Sequence, residues 1–370
     1  MYRRYASTLG WIAFFFATTS CSGRYSVGFE PMTDAAAGAG GSSGSAGSGG
    51  EGGTGGTGGG GGPVDAAPPP RCGFMPDPGT SSGSTASSRS VLSRIYQFLD
   101  DTSVVPPGNL PPQPSQAWAA DQAMAILDGH VAAGTEARGL VRFLTTWLAF
   151  PLADAGPTAA HTWSTKLLDP NATLTTLLAA PTGEPHRIGI LTDKQLLTGA
   201  RSTITRRGLW MVEKLLCGSV PPSPPNIPIL PPMSGVTRRE KLESQVGGPN
   251  CAPCHVIMDP PGDSLEHFDE MGSYRDLDNG KAVDSSGTID SLMLGFTSYD
   301  DLAPKLATSC TVAQCFSKFL MADAYGTAAT SMPLPFTEEE LNHVANAFAD
   351  SDFSVRALVK AIVQTPSFLR

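Results

Sequence analysis

The chain has 370 residues, 41 of them Gly and 32 Pro, and a net charge of −9. Gly and Pro make up about a fifth of it, against ~12% in average proteins, but the glycines concentrate between Gly38 and Gly62 and follow no Gly-X-Y period, which excludes a collagen. The apolar content elsewhere is too high for a fully disordered chain, and the acidic balance without a Lys/Arg run argues against nucleic acid as a partner.

The N-terminus predicts export. Arg3 and Arg4 precede the apolar stretch Trp11–Ala17, and the small residues Thr18, Thr19 and Ser20 lead to Cys21. That stretch is too short to span a bilayer, so residues 1–20 read as a cleaved signal peptide. A Cys at the first mature position resembles a bacterial lipoprotein signal, in which Cys21 carries the lipid. Thr18 departs from that pattern, which usually has an aliphatic residue there, so plain secretion stands as the alternative. Ser22 is not the Asp that retains lipoproteins at the inner membrane, so the expected location is the outer membrane, or the periplasm without the lipid. Residues 21–85, rich in Gly, Ser and Pro, read as a disordered tether.

Beyond the tether apolar residues fall at helical spacing. Val91, Leu92, Ile95, Phe98 and Leu99 make one face, Trp118, Ala125, Ile126 and Leu127 a second, and Leu140, Phe143, Leu144, Trp147 and Leu148 a third. Leu209–Leu216 reads as a helix stopping at Cys217-Gly218, followed by a proline-rich connector from Pro221 to Pro232. Thr237–Val246, Tyr299–Ala307, Val312–Ala324, Glu338–Ala349 and Ser354–Gln364 read as further helices, and Thr337 with Glu340 as a capping box. Period-2 alternation is nearly absent. The expected class is all-α, with a helical domain over 86–220 and a second domain over 221–370.

The chemistry concentrates at Cys251-Ala252-Pro253-Cys254-His255. In an exported protein Cys-x-x-Cys-His is the attachment signal for c-type haem: two thiols reach two vinyl groups from one turn of chain, and the adjoining imidazole reaches the iron. A zinc site would need four ligands, and no second Cys-x-x-Cys or His-x₃₋₅-His exists. A thioredoxin-like dithiol would follow an apolar strand, whereas Gln245-Val246-Gly247-Gly248-Pro249-Asn250 precedes this motif. The cofactor expected is therefore haem c on Cys251 and Cys254, with His255 as iron ligand.

Residues from about Leu140 to Arg370 resemble the planctomycete-type cytochrome-c-like proteins, adjoining domain families of unknown function also abundant in myxobacteria. The resemblance is carried by Arg187-Ile188-Gly189-Ile190-Leu191-Thr192, Arg206-Arg207-Gly208, the Cys251–His255 motif, Met258-Asp259-Pro260-Pro261-Gly262, Leu265-Glu266-His267-Phe268-Asp269, Gly272-Ser273-Tyr274-Arg275 and Val283-Asp284-Ser285-Ser286-Gly287. It implies a c-type haem protein of the bacterial envelope and no established reaction. Asp263 departs from the family, which tends to have a hydrophobic residue there, and so does Thr327, where Arg is usual.

For the second iron ligand, the order of a small cytochrome c (helix, motif, loop, Met, closing helix) favours Met293, just before the helix start at Tyr299. His267, Met271, Met321 and Met332 are the other candidates, and core packing is the alternative role of any Met. Asp259, Glu266 and Asp269 resemble an acid/base set but read as structural: Pro260 and Gly262 suggest a turn in which Asp259 accepts backbone N–H bonds. Asp284 reads as a loop anchor. Of the four remaining Cys, Cys310 and Cys315 are expected to pair if Cys310 lies before its helix begins, leaving Cys72 to pair with Cys217.

Together these point to electron transfer with an unidentified redox partner protein. A haem enzyme with an open distal face and a non-redox binding module are the alternatives, separated by the spin state of the haem and by its presence.

Overall fold

A computed structural model describes residues 71–75, 85–105, 108–149, 158–222 and 234–370. The expected signal peptide, Cys21 and the glycine-rich stretch lie outside the described residues. The described chain is mainly helical: α1 (Ser88–Asp100), α2 (Gln116–Ala133), α3 (Arg138–Leu148), α4 (Ala159–Leu168), α5 (Leu174–Leu178), α6 (Lys194–Leu197), α7 (Ile204–Lys214) and α8 (Arg238–Val246), then α9 (Ala252–Asp263), α10 (Tyr299–Ala307), α11 (Cys310–Ala324), α12 (Glu338–Asp350), α13 (Val355–Val363) and α14 (Pro366–Leu369). Between α9 and α10 lie two small antiparallel hairpins, β1 (Leu277–Asp278) with β2 (Lys281–Ala282) and β3 (Gly287–Ile289) with β4 (Leu294–Phe296). Asn279 and Gly280 join the first, both left-handed, as a two-residue hairpin turn requires.

Local signals place most helix starts. The side chains of Ser87, Ser115, Thr203, Thr237, Ser298, Thr337 and Ser354 each accept a backbone N–H from the first turn they precede. Thr237 with Glu240 and Thr337 with Glu340 complete reciprocal capping boxes. In α2 the buried face is Ala119, Ala120, Ala123 and Leu127, while Ala125 is exposed and Trp118 and Ile126 are half-buried. Close approach of α1 and α13 to that alanine stripe displaces the face expected from the larger side chains.

One hydrophobic core runs from Val91 to Leu369, and the expected boundary at residues 220/221 is not a break in packing. Helix α13 packs on α2, α11 on α1 and α3, and α10 on α5, so the C-terminal helices complete the bundle that α1–α5 begin. At its centre Phe143 and Trp147 of α3 stack with ring centroids 5.6 Å apart, and the Phe316 ring of α11 meets both edge-on. The Trp147 indole donates to the Lys214 carbonyl, 3.1 Å away, tying the end of α7 to α3.

The disulfides are Cys72–Cys310 and Cys217–Cys315. This corrects the expected Cys310–Cys315 and Cys72–Cys217 pairs. Helix α11 begins at Cys310 itself, so the two thiols leave one helix about 140° apart around its axis and ~7.5 Å apart along it. Each therefore takes a partner from a different neighbouring segment. The expected tether to residue 85 is likewise ordered over 71–75: Phe74 is buried, and its backbone N–H and carbonyl both bond the Asn346 side chain of α12.

Candidate functional site

Helices α7 and α9 cross almost in backbone contact. A Cβ on Gly208 would lie 1.6 Å from the Met258 carbonyl oxygen, and one on Gly262 would lie 2.1 Å from that of Ile204. Each glycine thus lets the other helix's backbone pass. Pro260 and Pro261 lie inside α9, where each lacks the N–H of an i→i−4 bond. The helix nevertheless continues to Asp263 along this contact, so Asp259 sits in a helix and not in the turn that the prolines suggested.

Cys251 caps α9, and Cys254 and His255 lie in its first turn. Both thiols are unpaired and partly exposed, whereas Cys72, Cys217, Cys310 and Cys315 are all bridged. His255 Nδ1 lies 2.8 Å from Asp259 Oδ2, one turn further along the same helix face. The other carboxylate oxygen, Oδ1, accepts from the Thr205 hydroxyl of α7 at 2.8 Å. Burial pushes the Asp259 carboxyl above the usual carboxylate range, and the bonds from Thr205 and His255 oppose that shift. With Nδ1 engaged, Nε2 is the nitrogen left to bind a ligand. Among the described residues no three His, Cys, Asp or Glu side chains gather as a metal-holding group, so the four-ligand set of a structural zinc is not assembled there.

The loop that follows α9 is held by the buried Arg207 and the half-buried Arg187, Arg238 and Arg275. Arg207, 2% exposed, donates to the carbonyls of Leu197, Arg201, Leu265, Phe268 and Asp269. Burial lowers its pKa to about 10, with Arg238 adding to the effect and Glu266 opposing it, so it stays charged at neutral pH. Glu266, 1% exposed, receives Arg238 at 3.1 Å and also Arg275, and Arg275 reaches on to Asp278. Arg187 lies over the Phe268 ring, 5.1 Å from its centroid, and donates to the Thr192 and Gly272 carbonyls. Asp269 Oδ1 accepts the N–H groups of Met271 and Ser273, both at 2.8 Å, and Asp284 Oδ1 accepts the N–H and the hydroxyl of Ser286. Asp284 thus anchors its loop as expected, Asp269 holds the turn after it, and Glu266 is an ion-pair centre. Asp259 alone of the three acids set aside as structural touches the motif.

Met293 lies at the turn of the β3–β4 hairpin, left-handed and 83% exposed, and β3 packs against α9. Met271 and Met332 are also exposed. Met321 is 0% exposed inside α11, and its thioether packs in the core. His267 bonds the Arg275 carbonyl through Nδ1 and stacks with Tyr274, which also stacks with His186 at 3.8 Å between centroids. Lipidation at Cys21 falls outside the described residues.

Residues 187–278 match a family model described as PSCyt3, protein of unknown function (DUF1588). The match opens at Arg187 and closes at Asp278, enclosing the α7–α9 crossing, the Cys251–His255 motif and the arginine–glutamate network; Met293 and the Cys72–Cys310 disulfide lie outside it, and of the Cys217–Cys315 disulfide only Cys217 lies within. No curated protein and no solved structure matches the chain. Over those residues, roughly a quarter of its length, the chain is thus similar to a family whose function is unknown.

Proposed function

We propose that the protein is an exported c-type haem protein that transfers electrons at the bacterial cell envelope. The observation that carries the reading is the state of the motif: two unpaired, partly exposed thiols one turn apart, beside an imidazole whose Nδ1 is engaged by Asp259. That donor set suits haem c. Cys251 and Cys254 would hold the porphyrin through thioether bonds, His255 would bind the iron through Nε2, and Met293 is the second ligand of choice. The group would supply one-electron chemistry. The two disulfides support an oxidising compartment, as the N-terminal sequence does, and Cys21 is the proposed lipid attachment point at the outer membrane.

The test is a pyridine haemochrome assay on protein matured in a periplasm competent for c-type cytochromes. Covalent haem should be present in the wild type, and Cys251→Ala or Cys254→Ala should lose its acid-acetone-resistant attachment while export continues. Wild-type protein without covalent haem overturns the reading. Covalent haem that is high-spin and binds CO or peroxide in the native state would instead favour catalysis. Cys21→Ser should release the protein from the membrane fraction.

A further inference from the structure

We propose that Asp259 is the positioning residue of His255: its carboxylate holds Nδ1–H, presents Nε2 to the iron, and lowers the reduction potential of the bound haem. This rests on the haem reading above. Three observations carry it. Asp259 stands four residues after His255 on one helix, so the side chains share a face, and Nδ1 and Oδ2 are 2.8 Å apart. The carboxylate is not free to swing, because Oδ1 accepts the Thr205 hydroxyl at 2.8 Å from the neighbouring helix. The Gly208–Gly262 crossing fixes that neighbour, since neither backbone can draw closer or slide without collision.

With Nε2 on the iron the ring proton sits on Nδ1, so Thr205 O–H and His255 Nδ1–H would both donate to the two oxygens of one carboxyl, and the form that accepts from both is the carboxylate. An anion on Nδ1–H makes Nε2 a stronger donor to the metal, as partners of metal-bound histidines do. It also disfavours the arrival of an electron. The chemistry that Asp259 would tune is the one-electron reduction of ferric to ferrous iron by a donor redox protein, with no bond made or broken. Negative charge placed against the ligand stabilises the oxidised side of that couple.

The experiment is a redox titration of the haem-loaded wild type, Asp259→Asn and Thr205→Val, alongside the haemochrome assay. Asp259→Asn keeps a side chain of the same shape and removes the charge, so its potential should shift upward with covalent haem retained. Thr205→Val removes only the support of Oδ1 and should shift the potential less. A potential unchanged in Asp259→Asn overturns the proposal while leaving the haem reading intact. If Asp259→Asn does not fold, an unchanged potential in Thr205→Val overturns it in the same way. Wild-type protein without haem overturns the earlier reading, and this one with it.

Discussion

Asp263, in the last turn of α9, offers a sharp test of the electrostatics around the α7–α9 pair. It is 5% exposed, its Oδ1 has no hydrogen-bond partner, and its Oδ2 lies 3.7 Å from Arg239 Nε. Burial raises its pKa from 3.8 to about 8, with Arg239 opposing, so the folded protein keeps this carboxyl protonated at neutral pH. The unfolded chain releases the proton near pH 3.8. Between those values the native state binds more protons, so stability falls as pH rises. At ~1.4 kcal/mol per pH unit for one proton, the loss between pH 5 and pH 8 is on the order of 3–4 kcal/mol. Asp263→Asn is neutral at every pH and of the same shape. Its lead over the wild type should widen by about 3–4 kcal/mol between pH 5 and pH 8. Arg239 would keep Glu243 at 2.8 Å and Asp284 at 3.6 Å. Asp259, Glu266 and Asp323 are also raised by burial and should leave a residual slope of the same sign in both proteins. The assay is urea denaturation with disulfides intact at pH 5, 6.5 and 8. Parallel pH profiles, or a variant less stable than the wild type at pH 8, would show that Asp263 is an ionised partner of Arg239, and the reasoning would fail.

Gly208→Ala puts a methyl group into the Met258 carbonyl; it should destabilise by about 1–3 kcal/mol even after the ~1 kcal/mol gained in helix propensity, measured by thermal or urea unfolding. Replacing both Cys217 and Cys315 by Ser opens a closure spanning 98 residues and should cost about 4–5 kcal/mol by loop-closure entropy, read as a lower urea midpoint. Met293→Ala, made at an exposed turn, should leave folding stability within about 0.5 kcal/mol. In the haem-loaded protein it should convert the low-spin spectrum to high-spin without loss of the covalent bond, whereas an unchanged spectrum would move the ligand to His267, Met271 or Met332.

Helical class and most helix starts were legible in the sequence because they are local properties. Apolar spacing in α1 and α3, and the capping residues Thr237, Ser298 and Thr337, act within a few residues of the structure they direct. The Asn279-Gly280 hairpin was not read from the sequence, because its strands are too short for alternation to reveal it. The Cys-x-x-Cys-His spacing needs no tertiary contact to be seen. What tertiary structure alone decided depends on chain segments far apart. Disulfide partners lie 238 and 98 residues apart in sequence, and a helix face, not nearness along the chain, chose between Cys310 and Cys315. The bundle closes by packing α13 on α2, which erased the boundary that the proline-rich connector suggested. Asp259 shows the division most clearly. Two prolines after it argue for a turn, yet contact between Gly208 and Gly262 keeps the helix going, and only a helix brings that carboxylate onto His255. Propensity works through neighbours in sequence, and it yields where close packing of distant backbone stabilises the other conformation by more.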